Sequence, residues 1–154
     1  MTLHIFSKQE KQEILEKLNE QFGIKEIPGI LIKIGQERIF LYQGSLNEDQ
    51  LKTLEDERIF IERVGIYFGK IQEDGIRLSI DGANLMKNQI TKNIFEISEK
   101  EVDIWMHGSE LNIPTNLHSF VIIKHKNDFL GTGKASQNKI TNFIPKSRRL
   151  KFKG

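Results

Sequence analysis

The sequence predicts an α+β protein in two lobes, and three observations carry that prediction. A capping-box motif and an amphipathic stretch stand near the start, followed by alternating apolar runs divided by tight-turn residues. Beyond residue 90 short apolar strands dominate, with one helical stretch among them. Charge divides along the chain as well. From residue 111 onward nine cations (Lys124, Lys126, Lys134, Lys139, Lys146, Arg148, Arg149, Lys151 and Lys153) stand against one acid, Asp128, although the whole chain is only +2. The acidic excess therefore lies in the first 110 residues. Such asymmetry points to a basic module for polyanions joined to an acidic module with other work; the plainer alternative is a solvated basic tail.

At 154 residues and 17.9 kDa the chain can build one ordinary core or two small lobes packed together. Its 38% hydrophobic and 29% charged residues are those of a globular chain rather than a disordered one. No apolar run approaches the roughly 20 residues of a membrane helix. Residues 8–17 are too charged for a signal peptide, so a cytoplasmic protein with no membrane partner is expected. With Cys 0 there is no disulfide framework, thiolate nucleophile or cysteine-ligated metal.

Ser7-Lys8-Gln9-Glu10 opens a helix whose Ile14, Leu15, Leu18 and Phe22 share a face, and Gly23 ends it. After Pro28-Gly29, the runs Ile30 to Ile34 and Arg38 to Tyr42 read as a β-hairpin. Asn47 starts a short helix carrying Leu51 and Leu54. The apolar run from Arg58 to Ile71 then leads into the turn Glu73-Asp74-Gly75, and Ile76 to Ile80 alternates as the returning strand. Asp81 or Gly82 is expected to cap a turn of helix through Met86. The first lobe thus reads as two helices against a mostly antiparallel sheet, and the polar stretch Asn88 to Asn93 places a boundary between residues 1–90 and 91–154.

In the second lobe Ile94 to Ile97 is a strand, and Glu99 to His107 is a helix with Val102, Trp105 and Met106 on one face, closed by Gly108. The run Phe120 to Ile123 and the segment from Phe129 read as a hairpin turning at Asn127-Asp128. In its second strand Gly131 and Gly133 leave one face bare, where another backbone or a ligand could approach. A last apolar piece, Ile140 to Ile144, ends in the basic cluster.

Chemical motifs are scarce. Gly131-Thr132-Gly133-Lys134 fails the phosphate-loop pattern, because Asp128 stands where its first glycine belongs and Ala135 follows the lysine. Ser136 breaks the dinucleotide pattern in the same way. His4, His107, His118 and His125 have no metal-ligand spacing. No catalytic residue, metal or cofactor is expected. Lys124 and Lys126 fall on one side of a strand, Lys134 on the partner strand and Lys139 in the following turn, while the other cations crowd the end. Arginine can fork onto phosphate, and Phe143 beside Asn142 is either core or a surface that stacks on or reads a base. Trp105, the only tryptophan, is assigned to the core.

Phe129 to Ala135, read with Asn142 to Arg149, resembles the PUA domain of pseudouridine synthases and archaeosine transglycosylases, in which a hydrophobic strand leads into a Gly-x-Gly-x-Ala strand. Glu101 to Gly108 is similar to that family's helix and glycine-ended loop. Val64 to Ile71 with Ile76 to Ile80 resembles the pre-PUA α/β domain of Nip-seven-type ribosome-biogenesis factors and of small archaeal proteins of the Nol/Nop/Fmu-associated group. The resemblance implies a pre-PUA α/β domain followed by a PUA β-pseudobarrel. It also implies a non-catalytic, rRNA-binding factor in ribosomal RNA processing or large-subunit assembly. Structured RNA would meet the Gly108 loop, Lys134, Lys139, Lys146, Arg148 and Arg149; Lys124, Lys126, Lys151 and Lys153 rest on charge. The acidic first lobe would dock a protein partner. Methyltransferases linked to this group use cysteine, so a chain without cysteine is expected at most to assist one. A small RNA-modifying enzyme or a protein–protein adaptor are the competing readings.

Overall fold

A computed structural model describes residues 2–151, which leaves Lys153 outside the described residues. Strands Leu3–Ile5 (β1), Ile30–Ile34 (β2), Arg38–Tyr42 (β3), Ile66–Gln72 (β4) and Gly75–Leu78 (β5) pair in chain order as one antiparallel sheet. Strands Ile94–Glu96 (β6), Ser119–His125 (β7), Asp128–Ala135 (β8) and Ile140–Asn142 (β9) form a second sheet, also in chain order. Only its β6–β7 pair is parallel.

The local signals account for most elements. Helix α1 (Lys8–Phe22) starts at the full Ser7–Glu10 capping box, ends at left-handed Gly23, and buries Ile14, Leu18 and Phe22. Helix α2 (Glu48–Lys52) has Asn47 as its cap, with Gln50 reaching back. The β2–β3 hairpin has the expected strands, with Ile32 opposite Phe40.

Residues 58–71 depart from expectation. Glu57–Val64 is a helix, α3, and only after Gly65 does the chain extend into β4. The β-branched and aromatic side chains of Ile59, Phe60 and Ile61 suit a strand locally. In the fold, Ile61 is buried against the first sheet while Ile59 and Val64 face outward, and Arg58 bonds Glu62 one turn on. Tertiary packing overrides propensity here. Ser79, not Asp81 or Gly82, caps the next helix, α4 (Ile80–Leu85): its hydroxyl accepts from Gly82 N at 2.8 Å. Ile80 therefore belongs to a helix rather than to the returning strand, and α3 is the helix added to those expected ahead of the second sheet.

In the 88–93 connection Lys87–Gln89 forms a 3-10 turn, and the Asn93 amide donates to Gln21 O. Helix α5 (Glu99–Met106) begins at a second capping box, Ser98 with Glu101. Lys126 lies in the β7–β8 turn at φ 53°, so it does not share a strand face with Lys124.

The bare face of the glycine strand is filled from within. Trp105 is fully buried, its Nε1 donates to Leu130 O at 2.8 Å, and a Cβ on Gly133 would come within 2.9 Å of Trp105 Cη2 and collide with Ile140. Protein side chains, not a ligand, make the close approach that glycine permits at this position.

One apolar cluster joins the two sheets. Ile14, Leu18 and Phe22 of α1 and Ile76 and Leu78 of β5 pack in the same core as Phe120, Ile122 and Phe129 of the β7–β8 hairpin. A second cluster surrounds Trp105, and a third lies between the first sheet and α3.

Gly133→Ala should cost about 1–3 kcal/mol through overpacking against Trp105 and Ile140. Urea unfolding followed by tryptophan fluorescence measures it, and a variant as stable as the parent would contradict this packing.

Candidate nucleic-acid interface

The register of β7 with β8 divides the cations into two groups. Ser119 faces Ala135 at one end of the hairpin and His125 faces Asp128 at the other. Lys124 and Lys126 are at the turn end, about 20 Å along the strands from Lys134 and Lys139. The remaining cations follow β9, where the chain doubles back across the lobe.

That last segment is tied down at several points. The Asn142 amide donates to Trp105 O at 2.8 Å and Ser109 O at 3.0 Å, joining the end of β9 to the end of α5. Its side chain is thereby engaged within the fold instead of presented to a base. Phe143 is half-buried, edge-on to Phe120 at 6.4 Å. Pro145 leads into a 3-10 turn, Lys146–Arg148. Arg149 Nε then donates to Ile144 O at 2.8 Å, and Leu150 N to Met106 O. Gly108, at φ 94°, lies under the arginine, where a Cβ would fall 2.5 Å from Arg149 Nε. The fold thus brings Gly108 and Arg149 together from 41 positions apart in sequence.

Three of the candidate cations are engaged with acids. Lys134 Nζ lies 2.5 Å from Asp74, Lys139 Nζ 3.1 Å from Glu110, and Arg148 Nη1 3.1 Å from Asp81. Asp74 belongs to the β4–β5 turn and Asp81 to α4, so two of these pairs bridge the sheets. The Lys134 ammonium bonded to Asp74 holds that carboxyl below the usual carboxylate range. Among the described residues, Lys124, Lys126, Lys146 and Lys151 have no carboxylate partner, and Lys126, Lys146 and Lys151 are exposed.

Beside the C-terminal segment a cleft of about 250 Å³ opens between the sheets. Tyr67, Arg77, Ser79 and Asp81 line it from the first sheet and α4, Thr132 from β8, and Phe143 and Arg148 from the C-terminal segment. The guanidinium carbon of Arg77 sits 4.2 Å from the Phe143 ring centroid. Burial pushes the Tyr67 hydroxyl above its ordinary range, and the hydrogen bond and charge of Arg77 oppose this. Sequence reasoning passed over Arg77, Tyr67 and Thr132. Their only signal was strand alternation, which gives a face and not a neighbour.

The histidines make local contacts. His4 Nε2 meets Glu10 at 2.8 Å, His107 Nδ1 meets Asp103 O at 2.7 Å, and His125 Nδ1 meets Ile97 O at 2.8 Å. Among the described residues no group of three or more His, Asp or Glu could hold a metal ion. No described helix is long and apolar enough to cross a membrane.

Residues 92–150 match the family described as the methyltransferase RsmF PUA domain. The second lobe is a PUA-like domain of this type. Over 146 residues, 91% of this chain, the sequence is also 25% identical to ribosomal RNA small subunit methyltransferase F of Vibrio campbellii (strain ATCC BAA-1116). A match of that extent reaches through the first sheet as well. The chain spans 29% of that relative's length. The expected PUA domain is thus found, with a match to the RsmF type.

Asp74→Asn should remove stability at neutral pH, by about 1 kcal/mol at most for so exposed a pair. Because the folded state lowers the Asp74 pKa, its contribution is present above the ordinary aspartate value and is lost as pH falls through the lowered one. Parent and variant should therefore differ near pH 7 and converge in strong acid in thermal melts. A gap that widens in acid would contradict the pairing.

Proposed function

We propose that this chain is a non-catalytic RNA-binding module that contacts ribosomal RNA through the basic end of its PUA-like lobe. It would act in the cytoplasm, in ribosome biogenesis, without a cofactor. One observation carries the reading. Within the matched domain, the C-terminal segment is pinned to the end of α5 by Asn142 and Leu150 and braced within itself by Arg149, and among the described residues it presents Lys146 with no acid to neutralise it; Lys151 follows. Exposed unpaired cations on a rigid support gain the most from phosphate, because they release counterions without first breaking an ion pair. Gly108 contributes by letting Arg149 lie close to the α5 end. Lys124 and Lys126 form a second contact at the hairpin tip, and Lys134, Lys139 and Arg148 serve the interface less directly, through the acids they hold.

The relative's printed name favours small-subunit rRNA as the target over the large-subunit assembly implied by the sequence resemblance. Division at residues 90/91 into a pre-PUA-like lobe and the PUA-like lobe is part of the proposal, as is the kinship with Nip-seven-type factors. The similarity to a methyltransferase favours a second reading, in which this chain supplies RNA binding to a catalytic partner docked on the acidic first lobe. Copurification of a methyltransferase, lost on changing the first lobe and kept on changing the basic segment, would favour that reading.

Lys146→Ala with Lys151→Ala should weaken binding to small-subunit rRNA fragments and lower the slope of log affinity against log salt by about 1.5. Lys139→Ala, which frees Glu110 but removes an already paired cation, should change the slope less. Fluorescence anisotropy across a salt series makes the comparison. Unchanged affinity in the double variant would place the RNA elsewhere.

A further inference from the structure

We propose that the cleft between the sheets is a pocket for one unstacked nucleobase of the bound RNA. The proposal rests on the RNA-binding reading and extends it from phosphate contacts to a base. Bases in loops and bulges are recognised by splaying out, stacking on aromatic rings or arginine guanidinium planes, and pairing their edges with polar groups.

The cleft supplies each of these. At about 250 Å³ it has room for one heterocycle and not for a base pair. Its stacking element is Arg77, held over Phe143 at 4.2 Å, with Tyr67 also lining the cleft. Among the described residues no carboxylate lies within ion-pair distance of Arg77, unlike Arg148 at the rim. An arginine packed on an aromatic ring and left without an acid keeps N–H groups for a ligand.

Thr132 is the independent observation. It is 4% exposed, lines the cleft, and among the described residues its Oγ1 has no hydrogen-bond partner. Opposite Ile122 in the β7–β8 register, it points toward the first sheet, where Ile122 joins the shared core. Buried hydroxyls are rarely left orphaned, and a ring nitrogen or exocyclic group would satisfy this one. Ser79, by contrast, is already engaged, donating to Tyr67 O and accepting from Gly82 N.

The wall chemistry favours a base over a phosphate. Leu78, Ile80 and Ile144 make much of the lining apolar, which suits a heterocycle better than a phosphate. Arg148, bonded to Asp81, sits where the backbone of a base entering the cleft would pass, beside Lys146.

The test uses the full chain and two labelled RNA hairpins, identical except that one carries a single bulged nucleotide and the other an abasic residue at the bulge. The parent should bind the bulged base about tenfold more tightly, as expected for one stacked base. Arg77→Lys keeps the charge without the planar fork, and Thr132→Val keeps the shape without the hydroxyl. Each should erase much of the preference while leaving affinity for the abasic hairpin and its salt dependence unchanged. Equal parental affinity for the two hairpins would overturn the pocket and leave the RNA-binding reading standing. Failure to bind either hairpin would overturn both. An equal loss on both hairpins in Arg77→Lys would assign the planar fork of Arg77 to the RNA backbone instead of the base and overturn its role here. Thermal melts of each variant verify that it folds.

Discussion

The seam between the two sheets is the interaction on which the other features depend. Phe120, Ile122 and Phe129 do not complete a core with the rest of the second sheet; they complete it with α1 and β5 of the first. Burying such side chains supplies about 1.5–3 kcal/mol each, far more than exposed ion pairs contribute. The pairs Lys134–Asp74 and Arg148–Asp81 cross the same seam and fix which parts of the two sheets meet. Apolar burial holds the lobes together, and the charges orient them.

This arrangement gives the uneven charge of the sequence a more specific meaning. Two acids of the first lobe are spent on cations of the second, and a third, Glu110, engages Lys139 within it. Asp74 and Asp81 act as struts between the lobes, so part of the acidic character serves the fold itself. The cations left over lie at the hairpin tip and along the C-terminal segment. The same seam creates the cleft, since Arg77 on β5 and Phe143 in the C-terminal segment meet across it.

How much of this could be read in advance depended on range in sequence. The capping box at Ser7 spans three residues, and the β2–β3 hairpin closes over a short turn; both were legible. Gly108 and the basic end were also foreseen as parts of one surface, and the fold places Gly108 against Arg149. The helix Glu57–Val64 was not, because Ile59, Phe60 and Ile61 have strand propensity and only the burial of Ile61 against the sheet decides the matter. Pairing of Arg148 with Asp81 lies 67 positions apart, and no local pattern announces it. The unsatisfied hydroxyl of Thr132 is invisible in sequence for the same reason: it is defined by what surrounds it. Trp105 was assigned correctly to the core, and the glycine strand beside it was read as bare for another backbone or a ligand; at Gly133 the close neighbours are the side chains of Trp105 and Ile140.

The most direct test of the account is to crosslink the full chain to small-subunit rRNA with ultraviolet light and map the modified peptides by mass spectrometry. Crosslinks concentrated between Phe143 and Lys151, with a second set at Arg77 or Tyr67 across the seam, are the predicted result. Crosslinks confined to the outer face of the first lobe, around Ile59 and Val64 of α3, would contradict it.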